Sequence, residues 1–361
     1  MTVSDRRQVA AWLLACAALV FAMVVVGGVT RLTHSGLSIV EWQPLVGTVP
    51  PLSQSDWETL FAKYRETPEF QKVNFGMDLE GFKRIFWWEY IHRLLGRVIG
   101  LVFLLPFLWF LARRKLERRL AWPLAGVFLL GALQGALGWY MVASGLVDDP
   151  RVSHFRLTAH LGLALLIFAS ELWIALRLLG ARAVPAAPRA LGRFALAIAA
   201  IVFAMALTGG MVAGLRAGFA YNTFPLMNGQ LVPPEILMLE PWWKNFFWNT
   251  ATVQFVHRAI AWLLIVLVPL FWWQTRWQAA GQPLAPRARL ACHLLLATLA
   301  IQVALGIATL LMVVPVTLAA AHQGGAVLLL GAALWSAHEL RAEPIGAQAD
   351  AKCATSAPSP A

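Results

Sequence analysis

The stretch Ile85-Phe86-Trp87-Trp88-Glu89-Tyr90-Ile91-His92-Arg93-Leu94-Leu95-Gly96-Arg97-Val98-Ile99-Gly100-Leu101-Val102-Phe103-Leu104-Leu105-Pro106-Phe107-Leu108-Trp109-Phe110 decides the fold. At about 1.5 Å per residue it is long enough to cross the roughly 30 Å hydrocarbon core of a bilayer as a helix. Its first half carries a glutamate, a histidine and two arginines. An ionisable group inside a membrane costs free energy unless it is partnered, so this segment marks a functional site as well as a span.

Seven similar runs accompany it. The expected spans are 9–29, 85–110, 120–143, 156–178, 192–213, 250–273, 289–312 and 317–339. The chain of 361 residues is 59% hydrophobic and 13% charged, far from a soluble balance. The reading is an all-α integral membrane protein with eight transmembrane helices. The net charge of +11 is not a nucleic-acid signal, because it concentrates in short loops between apolar runs. Seventeen tryptophans suit membrane interfaces. Cys16, Cys292 and Cys353 form no Cys-x-x-Cys pair, which argues against a zinc site or a disulfide framework. Arg6-Arg7 precede the first run without a transit-peptide composition or an evident cleavage site, so the first helix is expected to be retained.

Basic residues set the orientation. Arg113, Arg114, Lys115, Arg118 and Arg119 lie in one short loop, Arg182 and Arg189 in a second, and Arg276, Arg287 and Arg289 at a third. These loops, and both termini, are expected to be cytoplasmic. The long loops 30–84 and 214–249 then lie outside. Ser55–Lys72 has helix-like apolar spacing and is expected to form a short surface helix. The Ala-, Pro- and Ser-rich tail 342–361 is expected to be a disordered cytoplasmic tail.

The chain repeats itself. Gly27-Gly28 and Gly209-Gly210 end the first and fifth spans, and Pro50-Pro51 and Pro233-Pro234 follow in the two long loops. Gln134-Gly135-Ala136-Leu137-Gly138 resembles Gln302-Val303-Ala304-Leu305-Gly306. His92 and His257 each open a His-Arg pair, and His160 and His322 sit early in the spans two further on. Each half has four spans, so the halves share one orientation. The expectation is two pseudo-symmetric four-helix bundles, an N-terminal half 1–185 and a C-terminal half 186–341.

The four matched histidines are read as haem-iron ligands, two per half, each pair on two helices at one depth. A single histidine is more simply a hydrogen-bonded core residue. Four at repeated positions are not explained that way. His34, His154, His293 and His338 lack this pattern and are assigned no role. Arg93 and Arg258 are candidates for haem propionates, with snorkelling as the plain alternative. Glu89 is three residues before His92, whereas the other half has Gln254. A carboxylate beside a haem can accept protons and an amide cannot. The first half is therefore expected to do the chemistry, and the second to hold a structural or electron-transfer haem.

These residues resemble the haem A synthases of proteobacteria and mitochondria. The likeness runs from about residue 9 to 339. It rests on Gly27-Gly28-Val29-Thr30-Arg31-Leu32-Thr33, Ser35-Gly36-Leu37-Ser38, Trp42, Phe82 through Arg93 with Gly96-Arg97, Tyr221 through Met227, Val256-His257-Arg258 and Ala321-His322-Gln323. The resemblance implies an eight-helix enzyme oxidising the C8 methyl group of haem O to a formyl group, giving haem A for cytochrome oxidase. It implies that His92 and His160 hold the substrate haem, that His257 and His322 ligate a haem b, and that Glu89 is the essential acid. It further implies a bacterial inner-membrane location and a ferredoxin-like electron donor. Haem O synthase and a second copy of the chain are the other partners considered. Some bacterial relatives carry a cysteine pair in the first long loop; residues 30–84 contain none, so a thiol relay there is not available. The alternative functions are a diheme b-type electron carrier, disfavoured because all four histidines lie near one face, and a transporter, which leaves the histidine pairs unexplained.

Overall fold

A computed structural model describes residues 1–41, 46–146, 150, 152–180, 189–277 and 284–341. Trp42, Arg182 and the tail 342–361 lie outside the described residues. The chain is all-helical: α1 Val3–Leu32, α2 Gln54–Arg65, α3 Pro68–Lys72, α4 Leu79–Ala112, α5 Arg118–Gly145, α6 His154–Leu179, α7 Arg189–Gly214, α8 Asn245–Trp248, α9 Thr250–Trp277, α10 Pro286–Leu311 and α11 Val316–Arg341. Eight of these, α1, α4–α7 and α9–α11, are long and apolar enough to cross a membrane. They correspond one to one with the expected spans.

Packing separates them into two sets. In α1, α6, α7 and α11 between 28% and 44% of the most apolar window is buried, against 11–17% in α4, α5, α9 and α10. The first four are therefore central. α1 packs on α6, α4 and α11, and α5 on α6 and α4; in parallel, α7 packs on α11, α9 and α6, and α10 on α11 and α9. The peripheral helices turn large apolar side chains outward. Leu101, Leu105 and Leu108 of α4 are half exposed or more, a stripe that belongs against lipid tails rather than water.

Two local departures from the sequence reading have clear causes. The surface helix expected over Ser55–Lys72 is broken in two. Ser53 and Asp56 form a capping box at the start of α2. Pro68 cannot continue that helix, and Thr67 caps a new one by accepting from Phe70 N. Likewise α4 begins at Leu79, not 85, because Asp78 caps it through Gly81 N. The added turns hold Phe82, which is buried together with Phe86 of the expected span against Trp57, Phe61 and Tyr64 of α2. His92 is thus thirteen residues into its helix, about 20 Å at 1.5 Å per residue. The other three ligand candidates are six or seven residues into theirs. Equal depth from the helix ends, as expected from the sequence, does not hold for His92, because α4 extends into the first long loop.

The last turns of α1 and α7 meet, and so do the first residues of the two long loops that follow them. The Arg31 guanidinium donates to Ala213 O, and Arg216 Nη2 lies 3.5 Å from His34 Nδ1. Gly27 and Gly209 are matched across 182 positions, and these two contacts join residues separated by that same 182. Glu69 of α3, 5% exposed, stands 3.9 Å from the His34 ring.

Candidate functional site

Every one of the four matched histidines rests against a glycine of a neighbouring helix. A Cβ added to Gly27 of α1 would lie 3.0 Å from His92 Nε2, and one added to Gly138 of α5 would lie 3.0 Å from His160 Cε1. In the second half a Cβ on Gly209 of α7 would lie 3.3 Å from His257 Cε1, and one on Gly306 of α10 would lie 2.8 Å from His322 Cε1. Gln134 Nε2 donates to His160 O at 3.0 Å, and Gln302 Nε2 to His322 O at 2.9 Å. Each pair, His92 with His160 and His257 with His322, lies within electrostatic reach.

These observations test whether an iron porphyrin fits. All four rings are half-buried, set against glycines on one edge. Nδ1 of His160 and of His322 is buried without a hydrogen-bond partner, so the protein leaves both rings uncommitted. Two neutral imidazoles from two helices, in apolar surroundings with glycine beside them, form a donor set suited to a bis-histidine haem. The residues fit the group, once in each half.

Beside each pair the side chains hold a long loop. Glu89 is 2% exposed. Its Oε2 accepts from Ser38 Oγ at 2.7 Å and from Ile39 N at 2.8 Å. Its Oε1 accepts from Arg93 Nε at 3.0 Å and Nη2 at 2.6 Å. Four donors around two oxygens is the pattern of an acceptor-only carboxylate. Arg93 continues the clasp to Ile39 O and Glu41 O. In the second half, Gln254 Nε2 and Arg258 Nη2 both donate to Tyr221 O, at 3.2 and 2.8 Å, and Arg258 Nη1 reaches Leu226 O at 3.4 Å. In both clasps the arginine donates to loop carbonyls, but only the first contains an ion pair, Glu89 with Arg93.

The four unmatched histidines are not set in pairs against matched glycines, although Nε2 of His154 and Nδ1 of His338 are also buried without a hydrogen-bond partner. His293 Nδ1 lies 2.9 Å from Trp272 Nε1. His338 packs edge-on to Trp173, His154 opens α6 beside Phe155 and Trp248, and His34 sits with Arg216 and Glu69 at the loop rim.

The family model of cytochrome oxidase assembly proteins, COX15-CtaA, matches residues 10–334. The chain belongs to this family. It is 64% identical over 339 residues to the haem A synthase of Nitrosospira multiformis, covering 93% of this chain and 94% of the relative. It is 56% identical over 340 residues to that of Nitrosomonas eutropha, covering 93% and 94%. It is 52% identical over 339 residues to that of Rhodospirillum centenum, covering 93% and 89%. A chain so similar along nearly its whole length is a multi-pass membrane member of the haem A synthase family.

Within this family member, sequence reasoning named the histidines and missed their supports. Gly27, Gly138, Gly209, Gly306, Gln134 and Gln302 all carry a signal that was visible, namely their matched places in the repeat. Ser38 stood in a stretch that carries the family resemblance, but nothing marked its pairing with Glu89, 51 residues away.

Proposed function

We propose that this chain oxidises the C8 methyl group of haem O to a formyl group, with the reaction confined to the first half. The observation that carries the assignment is the Glu89/Gln254 difference beside two otherwise matched histidine pairs. His92 and His160 hold the substrate haem. His257 and His322 hold a resident haem b. When bound, that haem supplies electron-transfer chemistry. The side chains orient and enclose: four glycines admit the rings, and the Glu89–Arg93 and Gln254–Arg258 clasps seat the long loops over the sites. Glu89 holds negative charge beside the first site, where charge develops on the substrate. Arg93 and Arg258 each keep a cationic group at the rim, on the side suited to propionates.

The architecture is read as two four-helix bundles, α1, α4, α5 and α6 in the half 1–185 and α7, α9, α10 and α11 in the half 186–341. The repeated packing pairs support that division. Basic short loops support cytoplasmic termini and long loops on the outer face of a bacterial inner membrane. An apolar cleft of about 600 Å³, lined by Phe21, Val25, Trp88, Leu305, Ala321 and Gly324, suits the isoprenoid tail of the substrate. The electron donor is expected to be ferredoxin-like. Haem O synthase and a second copy of the chain are the other expected partners.

Co-expression with a haem O producer, followed by pigment extraction and mass analysis, tests the reading. Haem A in the extract, dependent on this chain, supports it. Unconverted haem O alongside bound b-type haem would favour the diheme carrier instead.

A further inference from the structure

Thr208 of α7 precedes Gly209 and touches His257 of the second histidine pair. Its hydroxyl donates to Met205 O at 2.8 Å and lies 2.8 Å from Nδ1 of His257. A hydroxyl has one proton to give, and a carbonyl can only accept. With that proton on Met205 O, the threonine oxygen must accept from the imidazole. Nδ1 of His257 therefore carries the ring hydrogen, with Met205 O placed as a second acceptor beside Thr208, and Nε2 presents a lone pair. This is the tautomer in which a histidine binds metal through Nε2, fixed by its other nitrogen.

The register that matches Gly27 with Gly209 places Val26 where Thr208 stands, and Met23 where Met205 stands. Val26 has no polar side-chain atom, so the corresponding anchor for His92 is missing. The rings differ as well, although His160 and His322 share the orientation of His257 with Nδ1 unpartnered. His160, His257 and His322 each bring Cε1 nearest to their glycine, whereas His92 brings Nε2 nearest to Gly27. Of the four ligand candidates, His92 alone is turned this way.

We propose that Thr208 locks His257 as a permanent Nε2 ligand, while Val26 leaves His92 able to turn, so that the second half retains its haem and the first binds and releases one. A resident cofactor must stay through many turnovers, and a substrate must leave as product. The Thr208/Val26 difference supplies that division of labour through one hydroxyl. Thr208 is a positioning residue, acting through His257. The inference rests on the two-site reading given above.

The test uses the full chain in detergent, loaded with ferric protoporphyrin IX. Transfer of haem to excess apomyoglobin gives release rates, and electron paramagnetic resonance reports axial ligation. His92→Ala/His160→Ala isolates the second site, and His257→Ala/His322→Ala isolates the first. In the first of these backgrounds, Thr208→Val is expected to speed release at least about tenfold and to shift the low-spin signal, with Thr208→Ser restoring both. In the second, Val26→Thr is expected to slow release by about tenfold. If Thr208→Val does not fold, Thr208→Ala measured in the same way decides. Wild-type release and an unchanged spectrum in the Thr208 variants, or unchanged release in Val26→Thr, overturn the proposal while the two sites stand. If His257→Ala/His322→Ala still keeps two haems, the two-site reading itself falls.

Discussion

Glu89 Oε1 lies 2.6 Å from Arg93 Nη2, one helical turn on, and this ion pair also grips Ser38, Ile39 and Glu41 of the first long loop. The side chains closest in sequence to His92 thus decide how the loop sits over it. In Glu89→Gln one acceptor oxygen becomes an amide donor. Either orientation sets that amide against Arg93 or against Ile39 N–H and Ser38, at a cost of about 1–3 kcal/mol for a buried donor left unpaired. The expected outcome is a loss of turnover of about 10²-fold or more, with haem content unchanged, read as haem A extracted per protein. Wild-type turnover would refute placing the chemistry in the first half.

Moving the charge is a separate trial. Gln254→Glu brings a carboxylate within reach of Arg258 but turns an acceptor toward Tyr221 O, which now receives Gln254 Nε2. The double variant Glu89→Gln/Gln254→Glu should not regain haem A formation. Limited proteolysis should cut more readily between 221 and 226, where the clasp is weakened. Restored conversion would show the halves to be interchangeable.

The glycines should respond in order of their clearance. An added Cβ meets His322 at 2.8 Å from Gly306, the rings of His92 and His160 at 3.0 Å from Gly27 and Gly138, and His257 at 3.3 Å from Gly209. Alanine at 306 should therefore lower haem content most, and alanine at 209 least. A pyridine haemochrome assay on purified variants gives the ranking. Equal losses at all four positions would mean that ring clearance is not what sets haem binding.

Glu69 offers a pH signature outside the membrane. Burial pushes its carboxyl up to about 7 from an ordinary 4.5, against the pull of Arg216. The folded state therefore holds this proton more tightly than the unfolded state. The stability it contributes is full below 4.5 and is lost as pH rises through 7. His34 is pushed down by burial, then by Arg216 and Arg31, so its contribution fades instead as pH falls below 6.5. Hydrogen exchange over 67–74, corrected for intrinsic rates, should show α3 loosening as pH rises through about 7. Glu69→Gln should remove that dependence. An identical profile in the variant would exclude Glu69 as its source.

The spans were legible because lipid imposes a simple code: an apolar run of about twenty residues between polar flanks. The histidine pairs were legible because ionisable groups stand out in such runs. The early start of α4 was not, since it depends on Phe82 and Phe86 finding Trp57 and Tyr64 in a helix twenty residues upstream. The repeated Gln-x-x-x-Gly was seen as a pattern but not understood. Only the packed helices reveal that its glutamine holds a histidine carbonyl and its glycine admits that histidine's ring. The Thr208 contact was equally hidden, because a threonine late in an apolar helix ordinarily bonds its own backbone, as this one also does.

The rim contacts bear on descent. A two-fold homodimer of four-helix subunits must show the same side chain twice wherever its surface crosses the axis. Here Arg31 meets Ala213 and His34 meets Arg216. In an unlinked ancestor, arginine at either place would have confronted its own copy, two cations nose to nose. On the proposed two-half reading, joining the halves in one polypeptide lifts that constraint, because each position across the axis can then differ. Glu89 and Gln254 differ in the same way.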